Sequence, residues 1–108
     1  MQTFVLKQND TSPAIQAILK NPDGSVINLD GADVCFNMRS SRGEQIINRA
    51  LVTVLDATNG LVRYEWIAAD TAVSGNYQAE FEITFSNGQV ESVPNSESLS
   101  IKIIPDLG

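Results

Sequence analysis

Two glutamates, Glu80 and Glu82, are the pair whose type and spacing come closest to a catalytic arrangement. Side chains two positions apart on a strand project from one face, about 7 Å apart. Paired carboxyl groups at such a separation act as acid and base in glycoside hydrolysis. A solvated sheet face is the simpler interpretation, because charges on neighbouring strands commonly pair across a sheet. We therefore expect Arg63 or Lys102 to accompany these glutamates, and a hydrolase is only the third hypothesis.

Metal ligation and nucleophilic catalysis find little support in the residue types. Asp10, Asp23, Asp30 and Asp33 do not follow the spacing of an EF-hand loop, and isolated aspartates are ordinary turn residues. The chain has no histidine, the commonest general base and neutral metal ligand. Its single cysteine, Cys35, cannot form an internal disulfide and lies within a predicted strand as a small, partly buried apolar residue. We predict no enzyme activity, no metal and no cofactor.

Composition predicts one folded domain over residues 1–108. A chain of 108 residues with 43% hydrophobic residues can bury a single core. The net charge of −6, from 13 acidic and 7 basic residues, disfavours nucleic acid, whose phosphates bind clustered lysine and arginine. The local basic group of Arg39, Arg42 and Arg49 is interpreted as a solvated loop with its flanks.

Neither a membrane anchor nor a secretion signal is predicted. No stretch of about 18 apolar residues is present, as a membrane-spanning helix requires. The N-terminal residues lack the basic start and long apolar segment of a signal peptide. We therefore expect a protein that is made in the cytosol and does not associate with membranes.

Residues 77–85 carry the clearest structural pattern in the chain. Polar residues alternate strictly with the apolar residues Tyr77, Ala79, Phe81, Ile83 and Phe85. This period-two alternation predicts one long antiparallel strand with a buried face and a solvated face. The Asn87-Gly88 pair that follows predicts a type I′ hairpin.

A structural corner is predicted just before this strand. Asp70, Gly75 and Tyr77 stand in the order found at the tyrosine corner of immunoglobulin-like sandwiches. At such a corner the tyrosine hydroxyl hydrogen-bonds to the backbone a few residues upstream. We predict that these three residues shape the fold and have no chemical role.

Shorter strands, and no helix, are predicted for the rest of the chain. The indications are alternation, β-branched residues and turn signals at roughly ten-residue spacing. Besides residues 77–85, the predicted strands cover residues 3–7, 14–20, 26–29, 32–39, 50–56, 61–66, 90–93 and 99–103, with a loop at 95–98. Residues 45–48 are either a short edge strand or part of the preceding loop. The predicted fold is an all-β, immunoglobulin-like antiparallel β-sandwich of eight or nine short strands.

Apolar residues on the predicted outer faces are the main indication of a partner surface. These residues are Val5, Ile18, Leu51, Leu55 and Ile104. Several apolar side chains together on a surface indicate contact with another protein. Tyr64 and Trp66 could line a sugar site, but their place on the inward face of a strand favours a core role.

The order and spacing of several segments resemble those of a known family. The segments are Phe4–Ile15, Leu19–Gly24, Leu29–Arg39, Gly60–Trp66, Asp70–Phe85, Asn87-Gly88 and Pro94-Asn95. Over nearly its whole length the chain resembles the N-terminal domain of the baseplate upper protein of siphophage tails from Gram-positive hosts. In relatives this domain anchors to the tail core, and a downstream part carries receptor-binding proteins.

The resemblance implies a non-enzymatic structural piece of a phage or prophage tail tip, located in the virion tail. The implied partners are other tail proteins, with a possible homo-oligomer in the assembled tail, and no catalytic residue is implied. The alternative hypothesis is a carbohydrate-binding sandwich that recognises host cell-wall polysaccharide. Such a module requires exposed aromatic rings, and aromatic residues make up only 6% of this chain.

Overall fold

The computed structural model describes residues 3–94 and 99–107, and these residues form an all-β structure. The strands are β1 (Thr3–Lys7), β2 (Ile15–Ile18), β3 (Asp33–Ser40), β4 (Gln45–Leu51), β5 (Thr53–Asp56), β6 (Leu61–Tyr64), β7 (Gly75–Thr84), β8 (Val90–Val93) and β9 (Leu99–Ile104). One 3-10 turn, Ala68–Thr71, precedes β7. No helix in the described part of the chain is long and apolar enough to cross a membrane. The loop predicted at residues 95–98 lies outside the described residues.

The strands form two sheets, which confirms the predicted β-sandwich. The larger sheet has the order β1-β9-β7-β3-β4, with β8 also beside β7, and the smaller sheet has the order β2-β6-β5. Among the described strands, every pair is antiparallel except β1 with β9, which run parallel from Thr3 opposite Ser100 to Lys7 opposite Ile104. Alternation alone predicts strands but not their direction, so this pair departs from the expected antiparallel arrangement.

The core fills the space between the sheets with the inward side chains of both. On β7 the predicted alternation is confirmed, since Phe81 is 1% exposed and Ile83 is fully buried. Phe36 of β3 is also fully buried and stacks on Tyr64 of the smaller sheet, with ring centroids 4.6 Å apart. The same ring contacts Phe81 at 5.0 Å and Trp66 at 5.7 Å. Phe36 therefore joins the two sheets through aromatic contacts.

Several predicted strands differ in the structure. Those predicted at residues 14–20 and 61–66 are shorter, Ile15–Ile18 and Leu61–Tyr64. Residues 26–29 were expected to form a strand, but only Val26 makes an isolated bridge, to Lys20. The segment instead buries Ile27 and Leu29 in the core while its amides bond to carbonyls of other loops, so irregular backbone satisfies the same hydrophobic pattern. The strands predicted at residues 45–48 and 50–56 divide at Val52 and not at residue 49. At Val52 the chain passes from β4 of the larger sheet to β5 of the smaller one.

The Asn87-Gly88 hairpin is not the predicted type I′ turn. A type I′ turn requires positive φ at both central residues, whereas here Gly88 has φ 88° and Asn87 does not have a positive φ. The Gly88 amide donates to the Phe85 carbonyl at 2.9 Å, and the Phe85 amide donates to the Gln89 carbonyl at 2.8 Å. This pattern is typical of a type I turn followed by a left-handed glycine.

Gly60 lies where the loops that contain Leu19 and Ile27 approach its backbone closely. Its φ is +68°, and a Cβ atom there would lie 2.8 Å from the Ile27 carbonyl oxygen and 2.9 Å from that of Leu19. We expect Gly60→Ala to lower the free energy of unfolding by about 1–2 kcal/mol for the left-handed backbone and by a further roughly 1–3 kcal/mol for the steric conflict. Urea denaturation measures both losses together.

Gly24→Ala is the matched control for this prediction. Gly24 also has a positive φ, +91°, but a Cβ atom there would meet nothing within 4 Å. Only the backbone contribution is therefore expected from Gly24→Ala. Equal losses of stability in the two variants would show that the close approach at Gly60 has no energetic consequence.

Candidate interaction surface

The corner before β7 forms around the Tyr77 side chain. Its hydroxyl donates a hydrogen bond to the Val73 carbonyl, four residues upstream, and the residue is only 5% exposed. Gly75 is the first residue of β7 and lies opposite Ile103 of β9. A Cβ atom at Gly75 would lie 3.9 Å from the Tyr77 ring, so the two residues are neighbours at the turn. The corner thus sets where the longest strand begins.

Asp70 lies in the same corner but has different partners. Its carboxylate is 6% exposed and accepts hydrogen bonds from the Tyr64 hydroxyl at 2.6 Å and the Ile67 amide at 2.9 Å. Burial, and then the hydrogen bond to Asp70, raise the pKa of Tyr64 well above the ordinary 10.0. The sequence pattern predicts a core position for Tyr64 but not its bond to Asp70, because the two residues meet only when the smaller sheet folds against the 3-10 turn.

The corner also binds the loop that follows β1. Thr71 is fully buried, and its hydroxyl donates to the Asp10 carbonyl at 2.9 Å. The Asn9 amide donates to the Thr71 carbonyl at 2.9 Å, and the Gln8 side-chain amide donates to the Ala72 carbonyl at 2.7 Å. These bonds connect segments more than sixty residues apart, so the corner holds β1 in position.

The two glutamates lie on the outer face of β7, as expected, but the predicted partners are wrong. Glu82 forms an ion pair with Arg49 of β4, with Oε1 and Nη1 2.6 Å apart. Arg63 lies on the other sheet and contacts Glu65, while Lys102 lies opposite Asn76, far along the strand from Glu82. The strand order is the reason, because Glu82 lies between β3 and β8. Arg49 reaches it from β4, which pairs with the other side of β3, whereas β6 belongs to the smaller sheet.

Around the glutamates the outer face forms a polar cleft of about 300 Å³. It is lined by residues that include Asn37, Arg39, Arg49, Gln78, Glu80 and Glu82. Cys35 lies beside it, 9% exposed, with its sulfur 3.8 Å from the Glu82 carboxylate. Burial, and then the charge of Glu82, raise the pKa of the Cys35 thiol, which keeps it neutral and a weak nucleophile.

No three histidine, cysteine, aspartate or glutamate side chains converge as metal ligands within residues 3–94 and 99–107. Asp23 instead serves its own turn, accepting from the Ser25 amide at 2.9 Å and the Ser25 hydroxyl at 2.6 Å. These two bonds hold the pKa of Asp23 below its ordinary value. Asp10 and Asp23 lie in separate loops, whereas Asp30 lies in the turn before β3 and Asp33 is the first residue of β3.

The five apolar residues of the candidate partner surface fall into three separate places. Val5 and Ile104 are neighbours on the outer face of β1 and β9. Ile18 lies opposite Leu61 on the outer face of the smaller sheet, and Leu55 lies in a bulge on the other side of Leu61. Leu51 is 89% exposed and is the last residue of β4, at the far edge of the larger sheet, where it lies opposite Cys35 of β3. The structure thus offers several small apolar sites and not one continuous patch.

A protein-family model described as the BppU N-terminal domain matches residues 2–106. The chain belongs to this family. The family is that of the baseplate upper protein, a component of the phage tail baseplate. The match covers nearly the whole chain and agrees with the family resemblance of the sequence segments.

Other comparisons add information on the fold alone. No curated protein sequence matches the chain significantly. Among solved structures, CopC from Methylosinus trichosporium OB3b is similar, with a TM-score of 0.57 and 8% sequence identity. The alignment covers 100% of this chain and 89% of CopC. At this identity the likeness shows a shared β-sandwich fold and carries no function from one protein to the other.

The Tyr64–Asp70 contact predicts a strong effect of substitutions at the corner. Asp70→Ala leaves the buried Tyr64 hydroxyl and Ile67 amide without their acceptor, and we expect a loss of about 2–4 kcal/mol in the free energy of unfolding. Tyr77→Phe removes one hydrogen bond and should cost about 1 kcal/mol. Asp30→Ala, at an exposed turn, is the control and should change stability by less than about 0.5 kcal/mol. A small effect of Asp70→Ala in urea denaturation would contradict the assigned role.

Both tyrosines of the chain predict a loss of stability at alkaline pH. Burial raises the pKa of the Tyr64 and Tyr77 hydroxyls above 10.0 in the folded state. The folded protein therefore holds protons that the unfolded chain releases, so stability is constant below about pH 10 and falls above it. Near-ultraviolet absorbance of tyrosinate, followed together with circular dichroism, should show ionisation only as the protein unfolds. Reversible ionisation of both residues near pH 10 in folded protein would contradict this.

Proposed function

We propose that this domain is a non-enzymatic structural module that docks to other tail proteins in the phage or prophage baseplate. The observation that carries the proposal is the match of the baseplate family over residues 2–106. We place the domain in the virion tail on the same basis. Such a module contributes to an assembly through its contacts with other proteins. Contacts between copies of the domain in the assembled tail are a second way in which it could take part.

The side chains that could do chemistry support a non-enzymatic role. Glu82 is held in an ion pair with Arg49. Glu80 lies near it on the same outer face of β7, beside the polar cleft. The Cys35 thiol is buried and has a raised pKa. A nucleophile without an activating base is a poor catalyst, so this arrangement favours a structural role.

Exposed apolar side chains and sheet edges supply the contacts that docking needs. Leu51, Val5 and Ile18 are each at least half exposed. Edge strands add unpaired backbone groups, which another chain can extend by pairing. These features occur on both sheets, which suits a module that contacts more than one neighbour.

Carbohydrate binding, the alternative hypothesis, gains no specific support. Sugar sites rely on exposed aromatic rings, whereas Trp66 is 3% exposed and both tyrosines are 5% exposed. The polar cleft near Glu82 contains no aromatic residue. Protein docking is therefore the proposed function, and binding to polysaccharide is the result that would overturn it.

Co-purification with the tail proteins encoded beside it tests the proposed function. We expect a stoichiometric complex with at least one of them, seen by size-exclusion chromatography with light scattering. The double variant Glu80→Gln/Glu82→Gln is the control, and it should form the same complex because these residues are not needed for chemistry. No complex with any tail protein, together with binding to purified cell-wall polysaccharide, would overturn the proposal in favour of the alternative.

A further inference from the structure

The hydrogen bonds of β1 show which of its backbone groups face β9 and which face outward. The Gln8 amide donates to the Ile104 carbonyl of β9 at 2.8 Å. Backbone groups on a strand alternate in direction every residue, so Leu6 and Phe4 also face β9. The amides and carbonyls of Thr3, Val5 and Lys7 therefore point away from the sheet. One of these groups, the Lys7 carbonyl, is used by the Asp10 amide.

The edge of β1 has neither a bulge nor a proline, although Lys7 is a charged side chain of the kind that also protects edges. Bulges, prolines and very short strands are further means by which proteins block a sheet edge, and β2, an edge of the smaller sheet, has only four residues. At the opposite edge, β4 has register shifts against β3 and a left-handed residue, Arg49, with φ 54°. The register of β5 is interrupted between Val54 and Asp56, and β8 ends at Pro94. The five residues of β1 pair in unbroken register with β9.

Side chains on both faces of the sheet define what could lie beside β1. On the outer face the parallel register places Val5 next to Lys102 and Lys7 next to Ile104, so two apolar and two basic side chains form one group. On the inner face Phe4 is only partly buried. Beneath it, between β1 and β2, lies a small cavity of about 90 Å³ lined by Phe4, Ile15, Ala17 and Leu99, among others.

We propose that the β1 edge receives an extended strand from another baseplate protein, as a strand added to the larger sheet. Such a strand would present apolar side chains towards Phe4 and the inner cavity, and apolar or acidic side chains towards Val5, Lys7 and Lys102. A second copy of this chain fits less well, because it brings the same lysines to the contact and a net charge of −6 on each copy. This inference rests on the proposed docking function and names its surface.

Val5→Pro tests strand addition directly. Proline removes the outward-pointing Val5 amide and places a ring at the edge, while the bonds of Phe4, Leu6 and Gln8 to β9 are kept. We expect the affinity for the tail protein that binds the wild-type domain to fall about tenfold or more. Val5→Ala keeps the amide and is the matched control, with a change within about threefold. Leu51→Ala, at the opposite edge, should leave the affinity unchanged.

Amide hydrogen exchange gives a second test that does not depend on the folding of a variant. In the free domain the Val5 and Lys7 amides should exchange quickly and the Phe4 and Leu6 amides slowly. In the complex, exchange at Val5 and Lys7 should slow about tenfold or more. A complex without this protection, or one that Val5→Pro leaves intact, would overturn strand addition at β1 while the docking function stands.

Two further results would overturn the proposal: the absence of any tail-protein complex, and a dimer of the domain that pairs through β1. If no tail protein binds the wild-type domain, the proposed function and this inference fail together. If the Val5 and Lys7 amides are protected in the domain alone and light scattering shows a dimer, the edge pairs with a second copy, which overturns the proposed partner.

Discussion

The packing of Phe36 between the two sheets is the contact on which the rest of the structure depends. Its ring contacts Phe81 of its own sheet, Tyr64 of the smaller sheet and Trp66, two residues beyond β6. Aromatic pairs of this kind contribute about 0.5–1.5 kcal/mol each beyond the burial of their area. Because these rings come from strands far apart in the sequence, their contact holds the sandwich closed.

Tyr64 extends this cluster from the core to the edge of the larger sheet. Its ring stacks on Phe36, and its hydroxyl bonds to Asp70 in the 3-10 turn. The next residue, Thr71, bonds to the loop that follows β1. A continuous set of contacts therefore runs from the aromatic core to β1, so the strand with the open edge is held by the most buried part of the domain.

A β-sandwich with charged and apolar side chains at its periphery suits a component of a larger assembly. The glutamates and arginines of the outer face neutralise one another or face solvent, and the apolar residues outside the core lie at several separate places. The fold itself is compatible with very different sequences, as the similarity to CopC at 8% identity shows. Function in such a fold is therefore determined by edges and surface side chains, and only weakly by the core.

Local patterns determined much of this protein from the sequence alone. Alternation predicted most strands and the inward faces of Tyr64 and Phe81, because the period of a strand is a property of neighbouring residues. The order of Asp70, Gly75 and Tyr77 predicted the corner before β7. The tertiary structure decided what depends on residues far apart: β1 runs parallel to β9, Glu82 pairs with Arg49, and Asp70 binds Tyr64. Strand order and direction bring these groups together, and neither is encoded in the pattern of a single strand.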